Sequence, residues 1–129
     1  MASSPFSRDL EQFVHDNIDS VEQMEVLFLL CCERSTEWTA QEIAAKLYVQ
    51  PESVAARLLD LVNQGLCRVT DPSGPYYQYQ PADNEQDRLV RELMNAYRTH
   101  HVAVIKLIFS KSPKHLRLFS EAFKWRKDE

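Results

Sequence analysis

Apolar residues recur every three to four positions along most of the chain and every second position over one short stretch near its middle, which predicts a mostly helical protein carrying a single hairpin. Ser4-Pro5 opens a first helix to about Asn17, with Leu10, Phe13 and Val14 as its apolar face. Ser20 with Gln23 three residues on is a capping box, and it starts a second helix through Met24, Val26, Leu27, Phe28, Leu29, Leu30, Cys31 and Cys32. That helix is apolar nearly all round, so it must be covered on several sides and is the expected central core helix.

Between Trp38 and Gln80 the signals follow in a specific order. Thr39 and Glu42 form a second capping box, and Trp38 and Ile43 have the spacing of a hydrophobic staple. Ile43, Ala44 and Leu47 are the buried stripe of a short helix. After the turn Tyr48-Val49-Gln50, Pro51 opens another helix. Its buried stripe is Val54, Leu58, Leu61 and Val62, and its other face holds Glu52, Ser53, Ala56, Arg57, Asp60, Asn63 and Gln64. Gly65 stands where a left-handed C-terminal cap falls. Two β-prone runs, 66–70 and 76–80, flank the turn-rich Asp71-Pro-Ser-Gly-Pro75. In them Cys67, Val69, Tyr77 and Tyr79 are expected inward, and Arg68, Thr70, Tyr76 and Gln78 outward.

This stretch, TAQEIAAKLYVQPESVAARLLDLVNQGLCRV followed by the tyrosine-bearing hairpin, resembles the winged helix-turn-helix domain of bacterial transcription regulators, including MarR-like ones. The resemblance covers about half of the chain. It implies that the helix from Pro51 enters the major groove of duplex DNA with Glu52, Ser53, Ala56 and Arg57 at the base edges. Thr39 and Gln41 would meet phosphates, and Arg68, Tyr76 and Gln78 on the wing would reach the flanking backbone.

Asp83, with Gln86 three residues on, caps a long helix expected to run to about Ser110. Val90, Met94, Tyr97, His101, Val104 and Ile108 are spaced as a heptad seam, widened by Leu89, Leu93, Ala96, Ala103 and Leu107. So wide a stripe can meet the body of its own chain and a second copy, and a homodimer is the expectation. Ser112-Pro113 then restarts a short basic amphipathic tail helix. Leu116, Phe119 and Phe123 form its stripe, and Lys114, Arg117, Lys124, Arg126 and Lys127 supply its charge. Docking on its own protein, a nucleic-acid or partner-protein contact through 114–127, and a membrane surface are the three roles open to it. The expected organisation is an N-terminal helix (1–18), a winged helix-turn-helix domain (19–81), a long C-terminal helix (82–111) and the tail (112–129), in a mostly α, α+β fold.

Composition adds bounds. The 129 residues are 44% hydrophobic, enough for one core, and include only two glycines. No apolar run reaches the roughly 18 residues of a membrane span, and no secretion signal is legible at the N-terminus, so a cytoplasmic protein is expected. Neighbouring Cys31 and Cys32, with Cys67, make no disulfide framework, and buried thiols are the expected reading with a redox sensor as the lesser one. Adjacent His100 and His101 diverge by about 100° on a helix and cannot easily share a metal ion. No nucleophile motif, phosphate loop or dinucleotide fingerprint is present, so neither an enzyme nor a cofactor is expected.

The net charge of -4 is uneven: -2 over residues 1–18, -5 over 19–81 and +3 over 82–129. The segment that resembles a DNA reader is therefore acidic, whereas phosphate binding draws on cations. Two functions follow: a DNA-binding transcription regulator reading duplex DNA as a homodimer, which is the leading expectation, and a winged-helix adaptor that binds protein and no DNA.

Overall fold

The computed structural model describes residues 5–110; Ser4, where the first helix was expected to open, and the tail 112–129 lie outside the described residues. The described chain is mostly helical with one two-stranded antiparallel sheet, an α+β fold. Its elements are α1 (Arg8–Asn17), α2 (Val21–Cys32), α3 (Ala40–Leu47), α4 (Pro51–Asn63), β1 (Cys67–Asp71), β2 (Tyr76–Tyr79), α5 (Asn84–Thr99) and α6 (His101–Ser110).

Caps decide most boundaries. Helix α1 begins later than Pro5 suggests, because Ser7 is the residue whose hydroxyl accepts from the Leu10 N–H. The Thr39 box closes in both directions, at 3.1 Å from Glu42 N and 2.9 Å to the Glu42 carboxylate. The Ser20 box closes in one. Ser20 accepts from Gln23 N, but the Gln23 side chain is wholly buried and used elsewhere. Its carbonyl accepts from Asp19 N, and its amide donates to Asn17 O at 2.9 Å and to Gln64 Oε1 at 3.2 Å, so one side chain joins the α1–α2 corner to the end of α4.

Helix α2 is the central one, packed against α3, α4, α5 and β2. Gly65, at φ 75°, ends α4 as expected. The Leu66 N–H reaches Leu61 O and the Gly65 N–H reaches Val62 O, the paired bonds of a Schellman cap. Strand β1 then pairs with β2 in the register Cys67↔Tyr79, Arg68↔Gln78 and Val69↔Tyr77, with a bulge before Asp71↔Tyr76. Trp38 adds an isolated antiparallel bridge to Tyr77, with bonds of 2.8 and 2.7 Å. Val69 departs from its expected inward position: it is 41% exposed, because the hairpin projects beyond the helices that would cover it.

The long C-terminal helix is two helices. His100 leaves the helical region at φ -135°, ψ 56°, while the Thr99 hydroxyl bonds back to Asn95 O at 2.9 Å and meets the His100 ring at 2.9 Å. The break lets α6 fold back onto α1, where Val104 and Ile108 become fully buried. Each such burial contributes about 1.5–3 kcal/mol, against about 0.5–1.5 kcal/mol for a backbone hydrogen bond given up at the break. The heptad seam is corrected accordingly. Val90, Val104 and Ile108 belong to the chain's own core, and only Met94, Tyr97 and His101 remain at the surface.

Replacing Gln23 by Leu removes the bonds that its side chain makes to Asp19 N, Asn17 O and Gln64 Oε1, at a cost of about 1–3 kcal/mol. Urea denaturation of Gln23→Leu should show a lower midpoint with an unchanged slope.

Candidate functional site

The residues expected at a DNA surface are not presented together. Ser53 and Arg57, the leading base readers, are half-buried and turn back toward α2, where both bind Glu22. The Ser53 hydroxyl donates to Glu22 Oε1, and Arg57 Nε donates to the same oxygen at 3.2 Å. Asp60 stands 3.9 Å from the same guanidinium, so two carboxylates neutralise it. Thr39 is committed to its cap, and Arg68 to Gln78 Oε1 at 3.0 Å. Gln41, Glu52 and Ala56 are exposed, and Tyr76 is partly so.

What α4 does present is Glu52, Ala55, Ala56, Leu59 and Asn63, a stripe containing one acid, no cation and a leucine 59% exposed. Ala55 and Leu59 were not singled out from the sequence. The signal was present, since a buried stripe through Val54, Leu58 and Leu61 leaves Leu59 about 100° away from its neighbour.

The turn before α4 holds the sharper anomaly. Tyr48 has φ 59° and ψ 45°, the left-handed region that a bulky residue enters only at a cost, and its side chain is 94% exposed. No burial offsets that cost. Beside it lies a groove of about 500 Å³ lined by Trp38, Glu42, Ala45, Lys46 and Tyr48. Strained residues of this kind cluster at functional sites, and the inference runs from the observed outlier to a role. The Trp38 indole N–H, next to the groove, is buried with no acceptor among the described residues.

Electrostatics narrows the chemistry. Residues 5–110 hold nine Lys or Arg against sixteen Asp or Glu. Several of the cations are spent internally. Arg34 and Arg91 both bind Asp87 at 2.9 Å, and Arg88 binds Glu85 and Glu92. In the span from α3 to β2, Lys46 and Arg68 are the cations outside an ion pair among the described residues.

Asp87 is itself a junction. Besides the two arginines it accepts from the Tyr79 hydroxyl at 2.7 Å, and Arg34 lies 5.0 Å over the Tyr79 ring, so α2, β2 and α5 meet at one carboxylate. Burial raises the Asp87 pKa, but hydrogen bonds from Tyr79, Arg34 and Arg91 outweigh it and hold the carboxyl below its ordinary value. Burial pushes the Cys67 thiol up to about 12 and raises Cys31 as well, so both stay protonated at neutral pH, whereas Cys32 is exposed.

Compared with protein-family models, with curated proteins and with solved structures, the chain finds no match in any of the three.

Two outcomes are expected. Tyr48→Gly removes left-handed strain and forfeits no burial, so it should stabilise the fold by about 1 kcal/mol in thermal or urea unfolding. The lowered Asp87 pKa contributes stability that is present above the unfolded carboxylate pKa of about 3.9 and is lost as pH falls through the folded value. Asp87→Asn should lower stability at pH 7 and flatten its loss below about pH 4, as followed by circular dichroism across that range.

Proposed function

We propose that residues 20–80 form a winged helix-turn-helix used as a non-catalytic adaptor, whose exposed face docks a protein. The order of α2, the Trp38 bridge, α3, α4 and the hairpin supports the winged-helix reading, with Trp38 serving as the short first strand of the wing. The observation that carries the adaptor reading is Tyr48, strained and 94% exposed at the turn leading into a helix face of Ala55, Ala56 and Leu59. Apolar exposure rimmed by Glu42 and Glu52 suits a partner surface that is apolar at its centre and basic at its edge.

Lys46 and Arg68 favour a second reading, duplex DNA bound by a cytoplasmic regulator. The magnitudes weigh against it for the span from α3 to β2. Two phosphate contacts from that span give a salt slope near -2, whereas regulators with firm non-specific affinity make about six to ten. Homodimerisation would double the two, still short of that range.

The two readings separate in one experiment. With a benzophenone amino acid at position 48, irradiation in the source cells should yield a discrete protein adduct that disappears when Leu59→Glu is added. Adducts to DNA of one recurrent sequence would return the protein to the regulators. Adducts to nothing would sink the adaptor reading of this face.

A further inference from the structure

On the C-terminal helices, remote in sequence from α3 and α4, lies a larger groove of about 680 Å³. Phe28 of α2 with Met94 and Tyr97 of α5 form its apolar floor, and Arg91, Arg98 and His101 stand around it. The floor is ordered by aromatic contacts: Tyr97 lies 5.9 Å from Phe28 and 4.4 Å from His101, centroid to centroid. The groove lies between α2 and α5, and His101, just past the break at His100, closes one end of its lining.

Its charge is opposite to that of the molecule. Among the described residues its lining holds Arg91 and Arg98 and no carboxylate, with Glu25 the acid that acts on Tyr97 from nearby, although acids outnumber cations sixteen to nine over residues 5–110. Arg91 is held by Asp87, whereas among the described residues Arg98 bonds the neutral Asn95 Oδ1 at 3.2 Å. Past His101, α6 continues the surface with Val102 at 60% exposure and Phe109 at 63%, with exposed Lys106 between them. Val102, Ile105 and Phe109 fall three and four residues apart, on one helical side.

We propose that this groove docks an amphipathic helix of a partner protein, with aliphatic or aromatic anchors seated over Met94 and Tyr97 and carboxylates facing Arg91 and Arg98. The mode is helix in groove, read by anchors at i, i+3, i+4 and i+7. Two occupants from the chain itself are disfavoured by like charge. A second copy seated groove to groove on a two-fold axis brings the Arg91 and Arg98 pairs of both copies into one interface. Residues 111–129 carry six Lys or Arg against three acids. The surface is separate from the Tyr48 face and does not depend on what that face binds.

The test uses the full chain and two labelled synthetic helices of 16 residues, identical on a Leu/Phe face and carrying either Glu or Lys on the other. Fluorescence anisotropy should show the Glu peptide binding at least tenfold tighter than the Lys peptide. Arg98→Glu, an exposed change that spares the core, should erase that preference, and Met94→Ser should weaken the Glu peptide at least fivefold. Leu59→Glu, on the other face, should change neither. Equal binding of the two peptides, or a preference that survives Arg98→Glu, overturns the proposal. So does binding that appears only once Phe119→Ser and Phe123→Ser are introduced, which would make the chain's own C-terminal residues the occupant. Sedimentation showing a dimer dissociated by Arg98→Glu would assign the groove to a second copy and overturn it likewise.

Discussion

A helix apolar over most of its surface persists in water only if most of that surface is covered, and α2 is such a helix. The remaining architecture is the set of covers. Helices α3 and α4 take one side, β2 another and α5 a third. The side-chain hydrogen bonds of α2 to other elements gather near its two ends, a part-buried one from Gln23 near its start and an exposed one from Arg34, just past its finish, to Asp87. Polar groups that are buried and fully paired add specificity to an otherwise greasy packing, because any slipped arrangement leaves them unpaired.

The same arrangement consumes the protein's positive charge. Arg34, Arg57, Arg88 and Arg91 are all engaged by carboxylates, so the cations that a sum over the chain offers to an external polyanion are fewer than the composition implies. Arg57 shows the effect most plainly. It lies in the early part of α4, where a base reader was expected, and Glu22 turns it inward. The surface that remains is apolar and acidic around α4 and apolar and cationic around the α5–α6 bend. An acidic chain with two such unlike surfaces suits a bridging role between partners of opposite charge.

Local chemistry made much of this fold legible from the residues. The Thr39 box, the Pro51 start, the Gly65 stop and the Asp83 cap each depend on neighbours within a few positions, and each falls where it was expected. What could not be read depends on residues distant in sequence. Trp38 looked like a staple, yet it also pairs with Tyr77, 39 positions on. The seam through His101 assumed a continuous helix, and no glycine or proline marks the break at His100. The gain that favours it, Val104 and Ile108 against α1, exists only once the chain has folded back. Ser53 and Arg57 were placed by position on a helix, which periodicity supports. The Glu22 oxygen that holds them sits on another helix altogether. The strain at Tyr48 is a matter of backbone angle, and side-chain pattern carries no signal for it.

The cap at Gly65 has a mechanical side. Two backbone bonds across Leu61 to Leu66 leave almost no slack between α4 and β1, and Gln80 N donates back to Leu66 O at 3.0 Å, clamping the far strand to the same point. Helix and hairpin are thereby coupled as a rigid lever with its fulcrum at residues 64–66. A load applied along the outer side of α4 is carried to the hairpin tip near Ser73 as a swing of the whole arm.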